Sequence, residues 1–237
     1  MGCNNQQQDK GAVAPSSTAI QATTNNSNNS FTQEQSPGNI ASVFPKSDYD
    51  ESIIIDSVSD NQAIRAEQQT DRGTLLLISN GKEERGHLNI SSTAGQEGDQ
   101  TFQSNYSIIY RQEDQDKVLL ELPAFLFIQP TDKILTFKKL SFKDADVYLL
   151  TPQYTTGHGL EAYVFAIDKQ SGNAFPLEIV LKNKFAAKIL VYSEVEAPSI
   201  ENDVLVVHPA VGAGTSEENS KDVFYKLDLS KRQLVAE

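Results

Sequence analysis

Histidines with nearby carboxylates are the residues in this sequence that could do acid–base or metal chemistry. Three histidines are present. His158 lies in the segment TTGHGLE together with Glu161, and His208 ends the run DVLVVH that starts at Asp203. The two segments could form a shared metal or acid–base site if the fold brings them together. Histidines in such polar segments are more often exposed loop residues. We therefore predict no catalytic residue, metal or cofactor, and assign His158, Glu161 and His208 to a binding surface.

One aromatic residue joins this set. Tyr154 lies in the segment PQYTTGHGLEAY, and the chain has no tryptophan. Tyrosine or phenylalanine must therefore supply any aromatic contact to a partner, and Tyr154 is predicted to be exposed in a loop. The Gly-x-Ser-x-Gly segment of a nucleophile elbow is absent, and so is a phosphate-binding glycine-rich loop with its lysine. We expect a binding module; the alternative is a hydrolase or sugar-active enzyme with a cleft near His158.

The only cysteine, Cys3, stands in the opening sequence MGCNNQQQ. A single cysteine cannot form a disulfide within the chain. Dual acylation of a Met-Gly-Cys start requires Ser or Thr at position 6, where this chain has Gln6. The Gly2–Cys3 pair, followed by a long polar segment, resembles the lipobox cysteine of bacterial surface lipoproteins. The resemblance implies a lipid on Cys3 and a signal peptide in the place that Met1 occupies.

The segment 1–50 has the composition of a tether. Asn, Gln, Ser, Thr, Ala and Gly dominate it, and large apolar residues are few. Because so little apolar surface can be buried there, we predict a disordered tether ahead of a folded domain at 51–237. The net charge of −12 argues against nucleic acid as a partner, since binding to phosphates relies on lysine and arginine.

From Ser52 onward, short β-branched and aromatic runs alternate with Gly, Pro, Asn and Asp. Runs such as SIIIDSV, TLLLIS, KVLLEL, VYLLT and VLVVH have the length of strands. No window of helix length has a sustained 3.6-residue apolar period. The sequence therefore predicts an all-β fold with little helix.

Two stretches of the body repeat each other. KILTF returns as KILVY, and DVYLLTP at Asp146 returns as DVLVVHP at Asp203. AYVFAIDKQSGNAFPLEI then has a counterpart in VFYKLDLSKRQLVAE, with Asp168 and Asp228 at the start of the two turns. A fainter copy upstream has TLLLIS and HLNIS as its first strands and YSIIYRQEDQDKVLLEL as its hairpin. Internal duplication of one structural unit explains this pattern.

The repeats predict about three tandem four-stranded antiparallel units. Each would contain a first strand (KILTF or KILVY), a strand ending in Thr-Pro or His-Pro, a long loop, and a hairpin closed by its aspartate. Such units resemble β-propeller blades. Three units are fewer than a propeller usually has, so a β-trefoil or a β-sandwich stays open as an alternative.

The long loops Thr151–Glu161 and Pro209–Asp222 fall at equivalent places in their units. Repeat proteins tend to place such loops on one face, and we predict a shared binding face here. The resulting hypothesis is a non-enzymatic, extracytoplasmic lipoprotein, anchored to the bacterial cell membrane through a lipid on Cys3. Its β-repeat domain would bind an unknown protein or glycan partner at the cell surface.

Overall fold

Strands form nearly all of the regular structure in the described residues, which confirms the predicted all-β class. This computed structural model describes residues 40–45, 50–154, 159–210 and 221–237. One short 3-10 helix, Asp50–Ser52, precedes the strands. In chain order the strands are β1 (Ile53–Ser59), β2 (Ile64–Gln69), β3 (Thr74–Leu88), β4 (Gln100–Gln112), β5 (Gln115–Gln129), β6 (Lys138–Ser141), β7 (Ala145–Leu150), β8 (Leu160–Asp168), β9 (Ala174–Pro176), β10 (Glu178–Val180), β11 (Ala186–Ala187), β12 (Ile189–Tyr192), β13 (Ser199–Glu201), β14 (Val204–Val207), β15 (Val223–Asp228) and β16 (Gln233–Ala236).

The first sheet contains β1 to β5 in the antiparallel order β1–β3–β4–β5, with β2 also paired to β3. Its long strands β3, β4 and β5 contain bulges, at which the register of the pairing shifts and the strand continues. The bulge in β3 lies between Ser79 and Glu83 and includes Gly81, whose φ of +94° favours glycine. The prediction that TLLLIS and HLNIS form two strands is therefore wrong, because the second run begins inside β3, which ends at Leu88.

The middle sheet has the order β12–β8–β7–β6, and β9 pairs with the C-terminal part of β8. Its central strand, β7, reads ADVYLL, and all six of its residues are buried. Consecutive side chains of a strand point to opposite faces, so such a strand needs cover on both sides. The charged residue in it, Asp146, is paired with Lys139 of β6 at 2.8 Å.

The third sheet has the order β11–β10–β16–β15–β14–β13. Its neighbours pair antiparallel except β10 and β16, which run parallel. Four consecutive strands, β13 to β16, are paired in chain order, as β6 to β9 are in the middle sheet.

The three sheets stack in layers, and the alternation along β7 and β8 connects them. Tyr148 and Phe165 join Leu75, Phe102 and other side chains of the first sheet in one apolar core. The intervening residues of β7 and β8 point the other way and pack against the third sheet, in a second core that includes Leu205, Tyr225 and Leu234. The middle sheet is thus buried on both faces, and no sheet closes on itself in the described part of the chain.

The prediction that KILTF and KILVY form the first strands of their units is wrong. KILTF forms no strand, and its Leu135 makes an isolated parallel bridge to Ala66 in β2. KILVY contains β12, which pairs with β8 of the middle sheet instead of opening the third. Both segments pair with an edge of the sheet that precedes them in the chain: KILTF with β2 of the first sheet, and KILVY with β8 of the middle sheet. The strands that precede β7 and β14 in their sheets are β6 and β13.

Two ends of the stack can be told apart. The turns between β6 and β7, β8 and β9, β13 and β14, and β15 and β16 lie at one end, here called the turn end. The predicted aspartate-closed hairpins are confirmed there. Asp168 accepts hydrogen bonds from the Ser171 amide and hydroxyl, and Asp228 accepts them from the Lys231 amide and the Ser230 hydroxyl. The connections from β7 to β8 and from β14 to β15 leave at the opposite end, the loop end.

Candidate functional site

The stems of the two long loops meet at the loop end. Gly159 has a φ of +102°, and a side chain at this position would collide with the Cβ atom of Ala210 and lie 2.6 Å from the Tyr192 carbonyl oxygen. The first loop returns to β8 through Gly159, and the second leaves β14 through Ala210. Glycine is needed here both for its backbone conformation and for the close approach. The described stems of the two loops therefore lie side by side.

Two of the predicted residues lie outside the described residues. They are Cys3 and His158. Of the other three, Glu161 lies at the start of β8, where it is exposed and pairs in register with Val191 of β12. Tyr154 and His208 lie on the stems of the first and second loops.

His208 contacts Asp222, so that the two ends of the second loop lie next to each other. Its Nδ1 atom lies 2.9 Å from Oδ1 of Asp222, at the far end of that loop, and 3.9 Å from Oε2 of Glu196. The His208 carbonyl accepts a hydrogen bond of 2.8 Å from the Ser193 amide, which follows β12. Sequence reasoning placed Asp203 near His208, but β14 separates them. Asp203 lies at the turn end and accepts a hydrogen bond from the Lys143 amide.

Tyr154 links the first loop to the first sheet. Its hydroxyl donates a hydrogen bond to Oδ2 of Asp99, and its side chain is half-buried rather than exposed as predicted. Burial, with the hydrogen bond and negative charge of Asp99, raises the pKa of Tyr154 above its usual value. Asp99 also accepts a hydrogen bond of 2.6 Å from the Gln96 amide, and Gln153 donates one of 2.9 Å to the Ala94 carbonyl.

The segment between β3 and β4 therefore also belongs to the loop end, together with the stems of the two long loops. Its serines order it locally: Ser92 donates its amide to the Gly95 carbonyl, and the Ser91 hydroxyl accepts from the Glu97 amide. Asp99 then connects this segment to Tyr154. The sequence signal for this connection is the serine- and glycine-rich run SSTAGQEGD before β4, which resembles any polar turn, so sequence reasoning missed it.

Five of the described carboxylates have a shifted pKa. Every carboxylate with a shifted pKa has it lowered: Glu83, Asp116, Asp146, Asp168 and Asp228. The enzyme alternative predicts a cleft that contains His158 and a carboxylate with a shifted pKa, and His158 lies outside the described residues. The described residues also include no cluster of three or more His, Cys, Asp or Glu arranged to hold a metal ion.

The cavities formed by described residues include three that lie away from Tyr154, Glu161 and His208. Two adjoining cavities of about 620 and 250 Å³ lie at the turn end and share Asp144, Lys226, Leu227 and Leu229 in their walls. A third, of about 180 Å³, is lined mainly by apolar residues of β5, β8 and β9 and by Lys188. None of Tyr154, Glu161 and His208 lines these three cavities.

Comparisons with protein-family models, with curated proteins and with solved structures find no match for this chain. Among the described residues, no helix has the length and apolar character needed to span a membrane.

Proposed function

We propose that this chain is a non-enzymatic binding module of the bacterial cell envelope. Its loop end binds a protein or glycan partner, and a lipid on Cys3 holds it at the membrane. The observation that supports the binding face is the contact between the two loop stems at Gly159 and Ala210. The described stems bring Tyr154, Glu161 and His208 to one end of the fold, and binding residues usually lie on loops held by such a scaffold.

Contacts that hold the stems of both loops support a binding surface of defined shape. Tyr154 fixes the first loop to the first sheet through Asp99, and His208 fixes the two ends of the second loop through Asp222. Such contacts reduce the entropy that a loop loses when it binds. Glu161 adds an exposed carboxylate beside these stems.

The domain itself is proposed to contain two copies of one blade-like unit. Strands β6 to β9 and β13 to β16 are each paired in chain order, and each unit has an aspartate-closed hairpin at the turn end. Equivalent loops of the two copies then form the binding face. The first sheet is proposed as a third, more divergent member.

The anchoring part is tested by lipid chemistry. The chain expressed with its native upstream sequence in a bacterium should incorporate an alkyne-labelled fatty acid and partition into the detergent phase of a membrane extract. Cys3→Ser should abolish both. Labelling that survives Cys3→Ser would contradict a lipid on this residue.

The binding part is tested on isolated cell envelopes. The full chain carrying Cys3→Ser, fluorescently labelled, should bind to them with saturation, and Glu161→Arg in that background should weaken binding at least fivefold. Glu121→Arg is the matched control, because Glu121 is also an exposed glutamate within a strand, on β5. Equal loss of binding for the two variants, or no saturable binding, would contradict a binding face at the loop end.

A further inference from the structure

A cavity of about 180 Å³ lies beside β8 of the middle sheet. One edge of β8 pairs with β7, and the other edge is shared by β12 and β9. β12 pairs with the first part of β8, and β9 pairs with its C-terminal part. Between these pairings, the Leu177 amide donates a hydrogen bond of 2.9 Å to the Val164 carbonyl. Val164 and Leu177 both line the cavity, which therefore lies at the junction of β9 and β12.

The inner wall of this cavity is apolar. Leu120 of β5, with Tyr163 and Phe165 of β8, packs in the core between the first and middle sheets. Leu177 belongs to the core between the middle and third sheets. An apolar cavity of about 150 Å³ accommodates a benzene ring. This cavity can therefore hold one aromatic or branched aliphatic side chain.

Two opposite charges lie at the mouth of the cavity. The exposed residues of its wall are Pro176, Glu178 and Lys188. Glu178 is the first residue of β10, and Lys188 follows the last residue of β11. Ile179 pairs with Ala187 in the antiparallel ladder of these two strands, and the next position of this register brings Glu178 opposite Lys188. A carboxylate and an ammonium group are therefore neighbours at the mouth.

These two charges do not pair with each other. The ion pairs formed among the described residues include neither Glu178 nor Lys188. Glu178 accepts a hydrogen bond of 3.1 Å from the Gln233 side chain, and its carboxylate has capacity for further donors. The Lys188 ammonium makes no hydrogen bond to another residue in the described part of the chain. A ligand at the mouth can therefore reach one unpaired charge of each sign.

We propose that this cavity binds a free amino acid with a large apolar side chain. The side chain fills the apolar part of the cavity, the α-carboxylate pairs with Lys188, and the α-ammonium group pairs with Glu178. A single carbon atom carries both charged groups of an amino acid, which matches two opposite charges on neighbouring wall residues. Hydrogen bonds between charged groups are the stronger ones, and the two together orient the ligand. This site is separate from the loop end, because none of Tyr154, Glu161 and His208 lines the cavity.

Saturation-transfer difference NMR of the full chain with L-phenylalanine tests the proposal. A ligand of about a dozen non-hydrogen atoms should bind with a dissociation constant of about 0.1–1 mM. 3-Phenylpropionate lacks the ammonium group and 2-phenylethylamine lacks the carboxylate, so each should bind at least fivefold more weakly than phenylalanine. No saturable binding of phenylalanine up to about 10 mM, or equal binding of the three compounds, would overturn the proposal.

Single substitutions assign each charge to one group of the ligand. Lys188→Gln should weaken phenylalanine binding at least fivefold and leave 2-phenylethylamine binding unchanged, because the amine has no carboxylate. Glu178→Gln should weaken phenylalanine binding to a similar extent and leave 3-phenylpropionate binding unchanged. Lys182→Gln is the matched control, since Lys182 is an exposed lysine of the same β10–β11 hairpin that does not line the cavity. Equal loss of phenylalanine binding for Lys182→Gln and Lys188→Gln would contradict the assigned site.

Filling the cavity tests the position of the ligand side chain. Leu120→Trp places a larger side chain in the apolar wall and should reduce phenylalanine binding at least tenfold. Val118→Trp is the matched control, because Val118 is exposed on the same strand and does not line the cavity. Circular dichroism at 218 nm checks that both variants keep the sheet structure. Phenylalanine binding that persists in a folded Leu120→Trp chain, or that falls equally in Val118→Trp, would contradict binding in this cavity.

Discussion

Replacing Glu83 with glutamine should destabilise the first sheet by several kcal/mol. Glu83 is fully buried at the bulge of β3 and accepts hydrogen bonds from Arg65 (2.7 and 2.5 Å), Arg85 (3.0 Å) and the Tyr106 hydroxyl (2.9 Å). The guanidinium of Arg65 also lies 3.9 Å from the centre of the Phe102 ring. Glutamine keeps the shape of the side chain but removes the charge and turns one acceptor into a donor.

The size of the loss follows from the burial of Arg65. Its side chain is only 10% exposed, so water cannot replace the missing carboxylate. Breaking a buried ion pair by removing one partner costs about 3–5 kcal/mol, because the remaining charge stays buried without compensation. Glu84→Gln is the matched control, since this neighbouring buried glutamate accepts from the neutral Ser42 hydroxyl and Val43 amide. Its loss should be about 1–2 kcal/mol.

Urea unfolding measures both variants. The chain has eight tyrosines and no tryptophan, so tyrosine fluorescence and circular dichroism at 218 nm report the transition. With a slope of about 2–3 kcal/mol per M, Glu83→Gln should lower the midpoint by roughly 1–2 M. A midpoint within about 0.3 M of the unchanged chain, or an equal fall for Glu84→Gln, would refute the reasoning.

Three further predictions concern the same fold. Burial of Glu83 opposes its ionisation, but the hydrogen bonds and charge of Arg65, with Tyr106 and Arg85, outweigh it and lower its pKa. Its contribution to stability is therefore full above the unfolded pKa of about 4.3 and is lost as pH falls through the lowered folded pKa, so the stability gap to Glu83→Gln in urea unfolding should narrow steadily as the pH falls below about 4. Gly159→Ala should cost about 2–4 kcal/mol, because strain adds to the collision with Ala210, whereas Gly81→Ala meets open space and should cost about 1–2 kcal/mol; thermal unfolding compares the two. Tyr154→Phe should speed hydrogen exchange at the Gln96 amide several-fold, and unchanged exchange would show that the link through Asp99 does not hold the loop.

Local patterns in the sequence predicted the class of the fold and its hairpins. The runs SIIIDSV, TLLLIS, KVLLEL, VYLLT and VLVVH lie in strands, and Asp168 and Asp228 close their turns as predicted. These features depend on residues within a few positions of one another. A sequence therefore carries their signal directly.

Partners distant in sequence could not be predicted. KILVY has the pattern of a strand, but whether β12 joins the middle or the third sheet depends on which edge is open in the fold. The bulge in β3 made one long strand look like two. The Tyr154–Asp99 contact joins two connecting segments that are distant in sequence, and the close approach of Gly159 to Ala210 depends on how the fold places them. None of these contacts produces a periodic pattern in the sequence.

The most direct test of a binding face at the loop end is site-specific photo-crosslinking in intact cells. A photoreactive amino acid at Glu161 should give a discrete higher-mass adduct, with little or none from the same residue at Glu121 on β5. Both positions are exposed on strands, so reactivity toward solvent is matched. Equal adduct yields at the two positions, or an adduct from Glu121 alone, would contradict the proposed binding face.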